Sequence, residues 1–249
     1  MPVVDLNADL GEGEQLSSSE RSLLATVTST SISCGAHAGT ADGIRATVEE
    51  AARLGVVIGA HPSYPDRAGM GRRAMDLDPS ALADTLVSQI GVVADLAGSS
   101  GARLRYVKPH GALYNRLSVD AGLGKVVAGA VRSVGDLVLL LQAGAAAIAE
   151  AERAGVMCAT EAFADRAYRP DGTLVSRGEP GAVLVDAEAV VAQARSIVLD
   201  RRGRTVDGWT SVDAVSLCLH GDTPGASSLG ETVRRALEDH GVDVRPFVR

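Results

Sequence analysis

A chain of 249 residues with 46% hydrophobic and 22% charged residues has the bulk for one globular domain with a sizeable core, and 3% aromatic content makes that core aliphatic. A net charge of −7 repels phosphate backbones and anionic surfaces, so neither nucleic acid nor a membrane is an expected partner. The start, Met1-Pro2-Val3-Val4-Asp5, carries no secretory pattern, no apolar run approaches a membrane span, and three scattered cysteines (Cys34, Cys158 and Cys218) form no C-x-x-C pair, which together point to a reducing, cytoplasmic setting.

Taken in chain order, short aliphatic runs alternate with Ala-rich helical patterns. Strands are predicted over 3–8, 31–34, 56–60, 104–108, 137–142, 156–162 and 214–220, with a short one at 242–244. Helices are predicted over 18–28, 41–54, 79–97, 121–134, 144–154, 187–199 and 228–240. Asp78-Pro79 reads as an N-cap and first turn, and Gly55, Gly155 and Gly241 as residues that end helices. The polar stretch from Asp165 to Gly181 interrupts this regularity without looking like a linker, so residues 1–249 are expected to form one domain. Repeated strand–helix units imply parallel strands with helical crossovers, buried on both faces.

Whether the sheet is closed or open is decided by the polar residues. Asn7, Asp9 and Glu12 close the first strand, His37 follows the second, and His61 the third. Lys108 and His110 follow the fourth, Gln142 ends the fifth, Glu161, Asp165 and Arg166 follow the sixth, and His220 and Asp222 the seventh. Four of the five histidines thus fall at the same end of four strands. In a closed barrel those ends share one face, where barrel enzymes place their chemistry; in an open sheet the outer ones could not meet. The expected fold is therefore an α/β barrel of about seven parallel strands. Each of the four histidines lies in a turn of small or restricting residues, with proline in two of them, Gly59-Ala60-His61-Pro62 and Lys108-Pro109-His110-Gly111, which suits turns that aim a side chain.

A single histidine at a strand end is more often structural than chemical; four in equivalent places reverse that balance. Asp5, inside the first strand, either points into the barrel or pairs with a buried cation. Glu12 and Glu14 read as solvated loop charges, Arg72-Arg73 as surface, His240 as a helix-end residue, and the cysteines as small core residues, with Cys34 the one worth testing for reactivity. No phosphate-loop, dinucleotide-fold, nucleophile-elbow or H-E-x-x-H pattern occurs. What remains is carboxylates, imidazoles and one lysine, a set suited either to acid–base chemistry on a polar small molecule or to a divalent metal.

Longer motifs carry a resemblance. The run Val4 to Gly13 (VDLNADLGEG), the turn Cys34 to Gly39 (CGAHAG), and the stretches Gly59 to Arg67 (GAHPSYPDR), Val107 to Asn115 (VKPHGALYN), Glu161 to Tyr168 (EAFADRAY) and Cys218 to Asp222 (CLHGD) resemble the LamB/YcsF family of 5-oxoprolinase A subunits from the first strand to the last helix. Ala36 departs from it, standing where the family usually has Phe. The resemblance implies a divergent (β/α) barrel related to polysaccharide deacetylases, ATP-dependent opening of 5-oxo-L-proline to L-glutamate, and separate B and C partner subunits. On that reading Asp9, His61 and Lys108 are expected to be catalytic, with Asn7, His37, His110, Asp165, Arg166, His220 and Asp222 binding substrate. A divalent metal, if one takes part, is expected on Asp9, His37 and His61. The rival expectations are a metal-dependent deacetylase or carbohydrate hydrolase of the same barrel superfamily, and a non-catalytic protein that holds a small acid for partner enzymes.

Overall fold

The computed structural model describes residues 1–220 and 225–248. Its elements run β1 (Val3–Leu10), α1 (Ser18–Leu24), β2 (Ser29–Ser33), α2 (Ala41–Leu54), β3 (Val57–His61), α3 (Pro79–Ser99), β4 (Leu104–Val107), α4 (Gly111–Leu117), α5 (Ala121–Val134), β5 (Val138–Gln142) and α6 (Ile148–Arg153). They continue with β6 (Cys158–Phe163), α7 (Ala187–Asp200), β7 (Arg202–Arg204), β8 (Trp209–Ser211), β9 (Ser216–His220), α8 (Ala226–Asp239) and β10 (Asp243–Val244). Strands β1 to β6 lie side by side, all parallel, and β9 pairs with both β6 and β1. That double pairing closes a seven-stranded parallel barrel, and β10 adds to the start of β1.

Helix ends follow local chemistry. Thr40 caps α2 with its hydroxyl and Gly55 ends it in the left-handed conformation; Asp78, Asp120 and Asp186 cap α3, α5 and α7. Helix α3 is long and apolar enough to cross a membrane by length and composition, but here it lies on the barrel, burying Leu82, Leu86, Ile90 and Val93.

The barrel wall has two different faces. Outward residues of β1 (Val4, Leu6, Ala8, Leu10) join the aliphatic layer beneath the helices. Inward residues of the same strand are Asp5, Asn7 and Asp9, because side chains alternate along a strand. The aliphatic core expected from composition is thus the layer between sheet and helices, and much of the barrel lumen is polar. Asp5 accepts from Thr28 Oγ1 (2.6 Å), from Ser29 Oγ (2.9 Å) and from the Ser216 hydroxyl. Of the two expectations for Asp5, the structure selects the inward one, with hydroxyl partners. Tyr106 fills the lumen beside Gly59, where an added Cβ would lie 2.3 Å from the ring. The C-terminal tail closes the floor, with Phe247 edge-on to Tyr106.

Several boundaries differ from the sequence reading. Helix α1 stops at Leu24, and β2 starts at Ser29, because Thr28 and Ser29 are drawn to Asp5. Helix α6 begins at Ile148 after a left-handed turn at Gly144. Helix α4 and the β7–β8 hairpin have no counterpart in the sequence reading: each strand of the hairpin has only three residues, too short to show a period.

Candidate active site

The C-terminal ends of the barrel strands meet around a cavity of about 650 Å³. Its lining divides into a lysine-centred floor, a histidine wall and an arginine-bearing rim.

The floor is organised by Lys108, just past β4 and 2% exposed. Its ammonium donates to Asn7 Oδ1 at 3.1 Å, lies 2.9 Å from Asp9 Oδ1 and 3.1 Å from Oδ2, and is 3.0 Å from Glu161 Oε2. The thiol of Cys218 lies 3.2 Å away. Burial works against the Lys108 charge, but Asp9 and Glu161 outweigh it and hold the ammonium well above its ordinary range. Burial pushes the Glu161 carboxyl upward, against the pull of Lys108. Lys108 is therefore a fixed positive charge and hydrogen-bond donor, not a base. Asn7 Nδ2 in turn donates to Glu161 Oε2 (3.1 Å) and Ser216 Oγ (2.7 Å), which ties the floor to the layer around Asp5.

The wall gathers His37, His61, His110 and Glu12 from three loops and a strand end. His61 ends β3, and its Nδ1–H donates to the Lys108 carbonyl at 2.7 Å. His110 is the N-cap residue of α4, and its Nε2–H donates to the Met70 carbonyl at 2.9 Å. The other nitrogens of these rings, His61 Nε2 and His110 Nδ1, face each other at 2.9 Å. His37 stacks on His110 with centroids 3.9 Å apart; its Nε2–H donates to Glu12 Oε1 (3.2 Å), and its Nδ1 lies 3.1 Å from Ser63 Oγ. Burial depresses His61 to about 4 and His110 to about 3, so both rings are neutral at physiological pH. Burial works to raise Glu12, but the hydrogen bond from His37 together with the interactions with the His61, His110 and His37 rings outweighs it and keeps it a carboxylate. Glu12, His61 and His110 each offer one ligand atom, all within 4.8 Å of one another.

The rim comes from the segment between β6 and α7, together with Arg72. Arg166 donates to the carbonyls of Ala182 (3.2 Å) and Val175 (2.6 Å), so it folds this segment over the mouth while also lining the cavity. Arg169 and Arg177 line the same side, and Arg169 pairs with Glu179 at 2.5 Å.

Of the residues singled out from sequence, Asn7, Asp9, His37, His61, Lys108 and His110 come together here. Arg166 reaches the rim, whereas Asp165 is buried beside it rather than lining the cavity. His220 ends β9 in register with Asp9, and Asp222 lies outside the described residues. Among the described residues the ligand atoms that converge are those of Glu12, His61 and His110, which share only His61 with the trio named from sequence; Asp9 pairs with Lys108 and lies 3.5 Å from His61 Nε2, and His37 hydrogen-bonds to Glu12. Arg72, read as plain surface, lines the cavity mouth. From sequence Glu12 stands at the end of the first strand but reads as a solvated loop charge, and Glu161 has no assigned role; the inward alternation of Asp5, Asn7 and Asp9 is the available signal that neighbouring strands carry polar residues inward too.

The model of the LamB/YcsF family matches residues 4–249. The chain is 51% identical over 253 residues to the 5-oxoprolinase A subunit of Streptomyces avermitilis, covering 98% of this chain and 100% of that one. It is 46% identical over 248 residues to the corresponding A subunit of Paracidovorax citrulli, covering 98% and 99%. Among solved structures, the lactam utilization protein of Thermus thermophilus superposes with a TM-score of 0.91 at 37% identity over 98% of this chain and all of that one. A putative cellobiose-phosphate cleavage protein of Enterococcus faecalis shares the barrel alone, with a TM-score of 0.52 at 12% identity over 98% and 96% of the chains.

Proposed function

The chain belongs to the LamB/YcsF family, and on that premise we propose that it is the A subunit of an ATP-dependent 5-oxoprolinase, opening 5-oxo-L-proline to L-glutamate. The observation that carries this reading is a buried ammonium held charged at the floor of a cavity, with a carboxylate on one side and neutral imidazoles on the other. That arrangement suits addition of water to an amide carbonyl.

A five-membered lactam is a resonance-stabilised amide, so attack needs charge stabilisation at oxygen and a base for the incoming water. Lys108 supplies the charge: its position is fixed by Asn7, Asp9 and Glu161, so little reorganisation is required as the oxyanion forms. Asp9 accepts the proton from water. His61 acts only through Nε2, because its other nitrogen is tied to the Lys108 carbonyl. His110 and His37 shape the wall, His37 chiefly by orienting Glu12. Arg166, with Arg169 and Arg177 beside it, receives the substrate carboxylate, for which guanidinium geometry is suited. Burial and the neighbouring Arg177 pull the Arg166 pKa down while Asp165 works against them, and His220 ends β9 at the same end of the barrel.

In the assembled enzyme ATP transfers its γ-phosphoryl group to the amide oxygen and leaves as ADP. Water adds at the amide carbon with Lys108 facing the negative charge on the phosphorylated oxygen, the ring C–N bond breaks with a proton delivered to nitrogen, and a second water splits the resulting acyl phosphate into glutamate and phosphate. The chain has no phosphate-loop pattern, so partner B and C subunits supply much of the nucleotide site. The relatives are named as A subunits, which supports an enzyme of several chains. Three free cysteines fit a cytoplasmic location. The rival readings, a deacetylase or carbohydrate hydrolase, rest on likeness of fold alone.

The test is glutamate release from 5-oxoproline, with and without ATP, by this chain alone and with B and C subunits. ATP-dependent release in the mixture is expected. No release under any condition, with every component folded, removes the assignment.

A further inference from the structure

The facing nitrogens of His61 and His110 pose a problem in proton placement. Carbonyl oxygens only accept hydrogen bonds, so the Lys108 carbonyl fixes the proton of His61 on Nδ1, and the Met70 carbonyl fixes that of His110 on Nε2. In neutral rings, His61 Nε2 and His110 Nδ1 then each present a lone pair, and they lie 2.9 Å apart in a buried wall. Two lone pairs at that distance repel unless a cation sits between them. The third nearby group is Glu12, whose Oε1 is 3.7 Å from His110 Nδ1.

We propose that Glu12, His61 Nε2 and His110 Nδ1 form a binding site for one divalent transition-metal ion of the zinc type, with its remaining position open to the cavity. Two imidazoles and a carboxylate suit zinc or cobalt rather than magnesium or calcium, which prefer oxygen donors throughout. The same hydrogen bonds, with one from His37 to Glu12, also give every ligand an outer partner that aims it. His61 is held by the Lys108 carbonyl, His110 by the Met70 carbonyl, and Glu12 by His37 Nε2–H. Such partners are the usual device for orienting metal ligands. A bound ion acts as a Lewis acid toward a carbonyl oxygen or a water molecule. Asp9 Oδ2, 3.5 Å from His61 Nε2, is the base adjoining that position. The ring chemistry alone defines the site, whatever reaction the cavity performs.

The test uses the full chain, stripped with a strong chelator and dialysed against Zn²⁺ or Co²⁺, with bound metal counted by elemental analysis. The expected result is one ion per chain and a Co²⁺ visible spectrum of low coordination number. Glu12→Gln and His110→Gln each weaken binding by more than about tenfold, whereas His240→Ala, on the far end of α8, leaves it unchanged. Circular dichroism of each variant separates lost ligands from lost folding. Failure of the wild-type chain to take up stoichiometric metal overturns the proposal, as does unchanged affinity in both folded ligand variants. So does nitrogen-15 NMR showing a proton shared by the His61–His110 pair that persists in excess Zn²⁺. These readouts are separate from glutamate release, so the metal site and the reaction stand or fall independently.

Discussion

Strand β1 sends Asp5 and Asp9 into the same lumen, four residues apart, and the protein treats them in opposite ways. Asp5 is fully buried among the hydroxyls of Thr28, Ser29 and Ser216, and burial pushes it to about 6 despite those hydrogen bonds. Asp9 reaches the cavity and pairs with the Lys108 ammonium. The lower carboxylate stitches β1 to β2 and β9; the upper one belongs to a charged group with an open side. Inward polarity is therefore not itself a sign of chemistry. The difference lies in whether the partner is a neutral hydroxyl in a closed layer or a fixed charge at the mouth.

The sharpest way to break this contrast is Lys108→Ala. It removes the oxyanion partner and strands Asp9 and Glu161, so the assembled enzyme should lose on the order of 10²–10³-fold in kcat. The same change should cost about 3–5 kcal/mol in urea unfolding. Full activity in this variant would remove Lys108 from the mechanism.

At the lower layer, Asp5→Asn should leave glutamate release nearly unchanged and act on stability through pH. The folded pKa is raised above the ordinary value of 3.8 to about 6, so the native state binds the proton more tightly than the unfolded chain. Any stabilisation from this proton is complete below about 4 and is lost as pH rises through about 6. Relative to wild type, the Asn variant should gain on the order of 2–3 kcal/mol between about pH 4 and 7.5, measured by urea unfolding at both.

The histidine wall has the opposite slope. The folded pKa of His110, about 3, lies below the ordinary value of 6.5, so the unfolded chain takes up the proton first and stability falls as pH drops below about 6.5. His110→Gln should flatten that acid limb by on the order of 1–3 kcal/mol in chelated protein. An unchanged limb would mean that the ring protonates in the folded state. The smallest effect is expected from Thr28→Val, which removes one of three hydroxyls on Asp5 and should cost about 1 kcal/mol in thermal or urea unfolding without affecting turnover.

Much of this architecture is legible in the sequence, because strand–helix alternation is a repeated local signal and histidines at equivalent strand ends report closure. Asp9, His37, His61, Lys108 and His110 are visible for that reason. Glu12 is not: its partner His37 lies 25 positions away on the next loop, so in isolation it looks like any loop charge. The roles of Glu161 and Asp5 stay open in the sequence for a related reason. A carboxylate inside a strand acquires its meaning from Lys108, Ser216 and Thr28 on other parts of the chain, and those pairings exist only after the barrel closes. The segment over the mouth reads as irregular, but the two backbone carbonyls that Arg166 gathers cannot be anticipated from composition.

Closure also has a consequence for biosynthesis. β1 is made before β9 and β10, which pair with it along opposite sides. Until they arrive, the nascent chain holds a sheet with open edges at β1 and β6, and Asp5 lacks its Ser216 partner. Contacts between the two ends of a chain form slowly and expose such edges meanwhile. Barrel closure thus waits for β9, and a chain halted before Ser216 keeps both edges open to pairing with other chains.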